Sequence, residues 1–312
     1  MARKLRIQFP GAIYHVINRG NYRHALFAGP GEAQSFLDTV KEAKAMMGWR
    51  LYAYVLMHNH YHLALETPEP NLVEGMHWLQ STWATRFNRF RRERGHLFQG
   101  RYQSLLIEDA AALGKVVDYI HLNPIRAKIV PPEQVKDYQW SSLAGIVKRT
   151  EEVEDYGWQG GGRFGDESGS GKAYGLFIEE LGRDEARWEA LGLTGLSKGW
   201  AIGSSGWKRS LAKEYGQLAL NPGFEREEVR ELREGVWEGA LKEALAKLGH
   251  KEADMETKPR LKKWKIQVAK RVREQTGAPL GWLAARLQIG EAASLRSYLY
   301  RLRLEENPLT TA

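Results

Sequence analysis

The sequence predicts an α+β protein, in which one antiparallel sheet is covered by helices and a mostly helical region with a helix-turn-helix follows. Three observations lead to this prediction. Segments with strand and helix character alternate within residues 1–150, and in so short a unit neighbouring strands are expected to pair antiparallel. A glycine-rich stretch at 151–172 follows this unit. Near the C-terminus, apolar residues recur at helical spacing on both sides of a short turn.

The elements of the first unit are assigned from periodicity. Strand character is found at 12–20, 50–57, 60–66 and 104–109. Helix-like stretches lie between them at 31–47, 70–93 and 110–122. In the second of these, apolar side chains recur at helical spacing at Val73, Met76, Leu79, Trp83, Phe87 and Phe90. These segments predict a sheet with helices packed against it.

The domain boundaries follow from composition. Residues 151–172 read EEVEDYGWQGGGRFGDESGSGK, acidic and then glycine-rich, which predicts a linker or a long loop. The chain then divides into a first unit at 1–150, a helical extension of unknown role at 173–255, and a C-terminal unit at 256–312. That last unit is predicted to hold three helices, each with apolar residues at helical spacing. These residues are Leu261, Trp264, Val268 and Val272 in the first helix, Leu280, Leu283, Ala284 and Leu287 in the second, and the inward-facing Leu295, Leu299 and Leu302 in the third.

Composition excludes several classes of protein and of site. The chain has 312 residues and no cysteine, so disulfides, thiolate nucleophiles and cysteine-ligated metal centres are excluded. It has no run of eighteen apolar residues, and the start MARKLRIQF lacks the apolar core of a signal peptide. We therefore expect a protein that is cytoplasmic and, given its charge, associated with the nucleoid.

The positive charge is unevenly distributed. Of the formal net charge of +8, the whole excess lies in residues 1–150, which hold 20 Lys and Arg against 12 Asp and Glu. A second basic region spans 258–303, where 12 basic side chains are accompanied only by Glu274 and Glu291. Two such regions favour a polyanionic partner. Solubility alone is the alternative explanation.

Histidines are concentrated in the stretch MHNHYHLALE, where His58, His60 and His62 alternate. Side chains two apart on a strand lie on the same face, so these imidazoles are expected to form a row that could bind a metal. Tyr119 and Asn123 are four apart in a predicted helix, where a phenol and an amide oxygen could face the same ion. Ordinary buried sheet histidines and a half-buried helix tyrosine remain the alternatives.

Four motifs together resemble a known family. FPGAIYHVINRGN, the histidine–hydrophobic–histidine motif within MHNHYHLALETP, GHLFQGRYQSLLIED and DYIHLNPIRAKIV are similar in order and spacing to those of the single-tyrosine transposases that act on single-stranded DNA. The resemblance is closest to the REP-associated tyrosine transposases, which recognise palindromic hairpins. It covers roughly residues 3–145.

This resemblance implies a fold, a reaction and roles for particular residues. The fold would be a ferredoxin-like sheet with His60 and His62 as ligands of Mg²⁺ or Mn²⁺ and Asn123 as a third ligand. Tyr119 would be the nucleophile that nicks single-stranded hairpin DNA and transfers the strand through a 5′-phosphotyrosine. His58 departs from the pattern, since relatives often carry proline there. The protein would act as a monomer or a homodimer.

Candidate DNA-binding residues lie in both basic regions. In the first, arginines alternate with aromatic residues, an arrangement that suits phosphate contacts and base stacking, at Arg86, Arg89, Arg91, Arg92 and Arg101. The alternative is the solvated face of an amphipathic helix. In the second, the last predicted helix presents Arg296, Tyr300 and Arg301 as groove-facing candidates.

Two other functions stay open from the residues alone. The chain could be a sequence-specific DNA-binding protein derived from a transposase, with the C-terminal unit as its working part. It could also be a hydrolytic metallonuclease, which would form no covalent adduct. An intact set of His60, His62, Tyr119 and Asn123 favours the strand transferase over the DNA-binding protein, whereas the presence of a covalent adduct would distinguish it from the metallonuclease.

Overall fold

The computed structural model describes residues 6–148, 170–219, 230–256 and 263–306. The chain forms two compact units, one made of residues 6–204 and the other containing residues from 205 onward. The first unit therefore extends well beyond residue 150, where composition placed its end. Most of the predicted linker at 151–172 lies outside the described residues.

The first unit contains a sheet built in the order strand, helix, strand, strand, helix, strand. These elements are β1 (Ala12–Arg19), α1 (Pro30–Met47), β2 (Arg50–Met57), β3 (His60–Thr67), α2 (Leu72–Arg91) and β4 (Gln103–Ile107). The strands lie in the order β2-β3-β1-β4, and each neighbouring pair is antiparallel. This is the ferredoxin-like arrangement, and the predicted α+β class is confirmed.

Local sequence explains where several elements begin and end. Helix α1 begins with Pro30 at its first position. It is terminated after Met47 by Gly48, whose φ of 68° is readily adopted only by glycine. That turn leads directly into β2 at Arg50. The observed bounds agree with the predicted segments to within a few residues, because each segment has a clear period of apolar residues.

Helices cover both faces of this sheet. On one face, the Phe36 ring of α1 lies 4.6 Å from that of Tyr61 and 4.9 Å from that of Trp83 in α2, between ring centroids. The opposite face is covered by α3 (Ala110–Arg126) and α4 (Ser142–Lys148). Behind them, α5 (Ser170–Gly182) and α6 (Glu185–Ala190) complete the same buried cluster. Because successive strand residues alternate between faces, Tyr61 and His62 point to opposite sides.

The chain after α6 completes the first unit at the edge of the sheet. Strand β5 (Ala201–Ile202) pairs in parallel with β4, next to Leu106 and Ile107. Gln103 donates its side-chain amide to the Gly199 carbonyl at 3.2 Å, and Ser204 donates its hydroxyl to the Glu108 carboxylate at 2.8 Å. Sequence periodicity did not predict this strand, since two residues are too few to show alternation.

The second unit is helical in the part that the structure describes, as predicted. Its elements are α7 (Ser205–Ala219), α8 (Arg230–Lys247), α9 (Lys263–Thr276), α10 (Leu280–Arg286) and α11 (Ala292–Glu306). The expected inward face of α11 is confirmed at Leu295 and Leu302, which are buried. Leu261, expected on the inner face of α9, lies outside the described residues. Arg286 forms an ion pair with Glu238 of α8 at 2.6 Å, so α8 packs with these helices.

A buried polar network joins α3 to the elements around it. His121 contacts the Tyr174 hydroxyl through Nδ1 and the Ser142 hydroxyl through Nε2, each at 2.8 Å. Tyr174 in turn donates to the Asp118 carboxylate at 3.0 Å. Burial lowers the pKa of His121 to about 3, so its ring is neutral near neutral pH. The network therefore fixes α3 against α4 and α5.

We expect Tyr174→Phe to destabilise the first unit by about 1–3 kcal/mol, because the substitution leaves buried partners at Asp118 and His121 without the hydroxyl they contact. Urea denaturation followed by tryptophan fluorescence measures this change. Tyr22→Phe is the matched control, since Tyr22 is 94% exposed and its variant should unfold as the parent does. An unchanged midpoint for Tyr174→Phe would show that the network adds nothing to stability.

Candidate active site

Tyr119 lies on the face of α3 that packs against the sheet. The helix is capped by the preceding residue Asp109, whose carboxylate accepts a hydrogen bond from the Ala112 backbone at 2.8 Å. Ten residues further on, the Tyr119 ring meets His15 and His62 edge-on, with centroids 5.7 and 5.8 Å apart. Among the described residues, the Tyr119 hydroxyl has no hydrogen-bond partner.

His60 and His62 lie on β3, and each has its Nδ1 atom engaged. His62 Nδ1 is 2.9 Å from Nε2 of His15. His60 Nδ1 donates to the Asn59 amide oxygen at 2.8 Å, while the Asn59 amide nitrogen donates to the Arg23 carbonyl. The two histidine rings are 5.2 Å apart between centroids. In both histidines, Nε2 is the atom left to bind a ligand.

Burial keeps these imidazoles neutral. Desolvation, aided by the charge of Arg19, lowers the pKa of His60 to about 4. Desolvation also holds the pKa of His62 well below its ordinary value, and nearby His15, His60 and the arginines Arg126 and Arg19 add to the effect. Burial likewise lowers the pKa of His15 to about 4. Neutral imidazoles are the form that binds divalent metal ions.

The expected row of three histidines is not formed. His58 is exposed and lies in the turn between β2 and β3, because β3 begins only at His60. Its backbone carbonyl accepts hydrogen bonds from Leu26 and Phe27. The prediction that His58 shares a sheet face with His60 and His62 was therefore wrong. Alternation of histidines along the sequence did not reveal where the hairpin turn interrupts the strand.

Asn123 lies one helical turn after Tyr119. Its amide nitrogen donates to the Tyr119 carbonyl at 3.0 Å, and the residue is buried. Helix α3 continues through Pro124 to Arg126, so Asn123 keeps helical geometry within the last turn. Among the described residues, no group of three or more His, Asp or Glu side chains is arranged to hold a metal. Any ion here would need ligands beyond the histidine pair.

Arg126 is a component of this site that sequence reasoning missed. Its guanidinium carbon lies 4.6 Å from the centroid of the Tyr119 ring and 5.5 Å from that of Trp188. Its Nη1 atom is buried and has no hydrogen-bond partner in the part of the chain that the structure describes. Arg126 follows Tyr119 by two helical turns, a spacing that could have indicated a shared face. His15 was also missed, since its contact with His62 depends on strand pairing.

The structure separates the predicted DNA-binding arginines into two groups. Arg86 forms a bidentate ion pair with Glu42 of α1 at 2.8–2.9 Å, and Arg91 pairs with Glu32 at 3.2 Å. Three others are exposed and form no ion pair or side-chain hydrogen bond among the described residues: Arg89, Arg92 and Arg101. In the second unit, Arg296, Tyr300 and Arg301 are exposed on α11.

Comparison with known proteins finds a family model that is similar to part of the chain. Residues 8–123 match the family model of IS200-like transposases, which confirms the resemblance that the motifs predicted. No curated protein matches the chain.

Two solved structures are similar to it. A REP-associated tyrosine transposase bound to a REP hairpin is 20% identical, with a TM-score of 0.41, over 50% of this chain and 95% of that one. A Deinococcus radiodurans r1 protein assigned as a transposase is 22% identical, with a TM-score of 0.29, over 38% of this chain and 95% of its own. None of the helices in the described residues is long and apolar enough to cross a membrane.

Proposed function

We propose that residues 8–123, which match the family model of IS200-like transposases, form a domain that nicks and rejoins single-stranded DNA through Tyr119. One observation carries the proposal. The Tyr119 ring lies against that of His62, and its hydroxyl has no competing hydrogen bond within the described residues. The proposed nucleophile and a candidate metal ligand, 57 residues apart in sequence, thus lie in contact on one face of the sheet.

The proposed reaction is a transesterification. The Tyr119 oxygen attacks a backbone phosphorus, so that a tyrosine–phosphorus bond forms and the bond from phosphorus to the 3′ oxygen breaks. The phenol proton is lost to solvent, and the leaving oxygen takes up a proton to become a 3′-hydroxyl. The product is a 5′-phosphotyrosine. Because the phosphodiester energy is kept in this link, attack by another 3′-hydroxyl can rejoin strands without ATP.

A divalent ion, Mg²⁺ or Mn²⁺, would be held by the Nε2 atoms of His60 and His62 and the amide oxygen of Asn123. The residues fit such an ion, because both imidazoles are neutral and the Asn123 oxygen accepts no hydrogen bond among the described residues. When bound, the ion would polarise the scissile phosphate and stabilise charge on the leaving oxygen. DNA oxygens and water would supply the remaining ligands.

Arg126 is the protein group best suited to contact the scissile phosphate. Its buried Nη1 atom has no partner among the residues that the structure describes and needs an acceptor. A phosphate oxygen is the kind of acceptor that guanidinium groups bind most strongly. Its position over the Tyr119 ring places that positive charge beside the attacking phenol. We therefore assign Arg126 to neutralising the phosphate while Tyr119 attacks.

The proposed substrate is single-stranded DNA that folds into a palindromic hairpin. Support comes from the motifs shared with REP-associated tyrosine transposases. It also comes from three exposed arginines that form no ion pair within the part of the chain that the structure describes: Arg89, Arg92 and Arg101. The second unit would add contacts through Arg296, Tyr300 and Arg301, which share the exposed surface of α11. A hairpin offers both a duplex stem and a single-stranded flank, so it suits a chain with two basic regions.

The deciding experiment is to trap and locate a covalent adduct. Purified full-length protein is incubated with labelled hairpin oligonucleotides with or without Mg²⁺ or Mn²⁺, separated on a denaturing gel, and digested with trypsin. The DNA-linked peptide should be residues 116–126, VVDYIHLNPIR, in which Tyr119 is the only tyrosine. Tyr22→Phe, which removes an exposed tyrosine, should give the same adduct.

Each other outcome contradicts the proposal in a different way. Tight hairpin binding without an adduct or cleavage under either metal would favour the DNA-binding protein derived from a transposase. Cleavage without an adduct would indicate a hydrolytic metallonuclease. An adduct on a peptide other than 116–126 would keep the strand-transfer chemistry and remove Tyr119 from its role.

The two groups of arginines should respond differently to substitution. We expect the double variant Arg89→Gln and Arg92→Gln to weaken hairpin binding by about tenfold and to reduce its salt dependence. Each phosphate contact that is lost lowers the slope of log binding constant against log salt concentration by about one. Arg86→Gln, on the same helix as Arg89, is the matched control. It should lower stability by roughly 1 kcal/mol with little change in DNA affinity, because Arg86 is paired with Glu42. Equal binding losses in both variants would contradict this division.

A further inference from the structure

A chain of hydrogen bonds runs from a loop outside the family match to the histidine pair. The Leu196 carbonyl lies 2.9 Å from His15 Nδ1, and His15 Nε2 lies 2.9 Å from His62 Nδ1. His15 and His62 are both fully or almost fully buried. They are diagonal neighbours on paired strands, since His15 is opposite Ala64 in the register of β1 and β3.

The partners of these atoms determine where the protons lie. A carbonyl oxygen can only accept, so His15 must donate from Nδ1 to Leu196. The Nε2 atom of a neutral His15 then carries a lone pair and must accept from His62 Nδ1. His62 is thereby fixed with its proton on Nδ1 and its lone pair on Nε2. The same hydrogen bond from Nδ1 to His15 also holds the His62 ring in place.

We infer that His15, oriented by the Leu196 carbonyl, is a positioning residue that fixes the tautomer of His62 and directs its Nε2 lone pair toward a divalent cation. Metal-binding histidines generally donate their second ring nitrogen to such an outer partner. Asn59 gives His60 the same kind of acceptor. The identity of the ligand as a divalent cation rests on the proposed function, whereas the tautomer of His62 does not.

The inference also gives a role to the chain that follows the family match. Leu196 lies more than seventy residues beyond residue 123, where that match ends. Its loop is held beside the sheet, because Leu106 donates its backbone amide to the Trp200 carbonyl at 3.0 Å and β5 pairs with β4. Residues 196–204 therefore supply one end of the hydrogen-bond chain, and the orientation of His62 depends on this extension through His15.

The test uses the full-length protein with ¹⁵N-labelled histidine and two readouts. Two-bond proton–nitrogen NMR spectra of the metal-free protein report the tautomer of His62, whose signals are assigned by their loss in His62→Gln. Mn²⁺ alone is the binding probe, measured by electron paramagnetic resonance. His15→Phe removes the acceptor for His62, and His15→Gln restores one through its amide oxygen. His121→Gln is the control, since His121 is equally buried and bonds to Tyr174 and Ser142 instead.

We expect the parent protein to show His62 with its proton on Nδ1. His15→Phe should give a mixture of tautomers and bind Mn²⁺ about 10- to 100-fold more weakly, as is typical when an outer partner of a metal ligand is lost. His15→Gln should recover most of the affinity, and His121→Gln should match the parent in both readouts.

Three results would overturn the inference. They are a parent protein with the His62 proton on Nε2, a parent that does not bind Mn²⁺, and a folded His15→Phe variant with unchanged tautomer and affinity. A merely structural role for His15 would lower stability in both His15 variants without moving either readout. Failure of the proposed function looks different, because DNA would then form no adduct even though Mn²⁺ binds and depends on His15.

Discussion

Replacing Tyr119 with phenylalanine should abolish the DNA–protein adduct, with a fall in its rate of formation of at least about 10³-fold, as is typical when an enzyme loses its nucleophile. The change removes only the hydroxyl oxygen. The ring would keep its edge contacts with His15 and His62 and its place beneath Arg126. Because the hydroxyl has no hydrogen-bond partner among the described residues, its loss should not lower stability measurably.

This combination distinguishes a catalytic hydroxyl from a structural one. Tyr119→Phe should form no adduct and should unfold at the parental urea concentration, with a hairpin dissociation constant within about twofold of the parent value. Tyr174→Phe should show the opposite pattern, since the Tyr174 hydroxyl bonds to Asp118 and His121. It should still form the adduct under conditions in which it remains folded. An adduct in Tyr119→Phe at the parental rate would assign the chemistry to another residue.

The fold of the first unit could be predicted because its elements have clear periods. Strands β2 and β3 and helix α2 each carry enough apolar residues at the right spacing to be recognised individually. The placement of Tyr119 and Asn123 on one face of a helix could also be predicted, since four residues make about one turn. These are local relations, because the residues involved are close together both in sequence and in space.

The rest of the site depends on contacts that no local pattern contains. His15 and Leu196 are 181 positions apart, and His15 meets His62 only because β1 pairs with β3 in one register. The pairing of Arg86 with Glu42 likewise depends on how α1 packs against α2. From sequence alone, Arg86 and Arg89 were equivalent members of one basic segment. The structure separates them by what each side chain contacts.

A second prediction of large effect concerns the histidine pair, His60 and His62. Replacing His60 and His62 together with glutamine should reduce metal-dependent adduct formation by at least about 100-fold, since metal stabilisation of transition-state charge amounts to several kcal/mol. Mn²⁺ binding should be lost in the same variant. Glutamine retains hydrogen-bonding capacity and similar bulk, so the sheet should still form. His77→Gln, at an exposed position on α2, is the control that should keep both properties.

The lowered pKa values make this prediction sharper, because they set how the site should respond to acid. Imidazoles with ordinary pKa values would be mostly protonated at about pH 5.5, so the neutral, metal-binding fraction of each would fall about tenfold. Burial lowers the pKa of His60 to about 4 and that of His62 well below its ordinary value, so both remain neutral at that pH. Mn²⁺ affinity should therefore fall by less than about threefold between neutral pH and pH 5.5. A steep loss over this range would show that the histidines are exposed to water in solution, and a double variant that still binds Mn²⁺ would place the ion elsewhere.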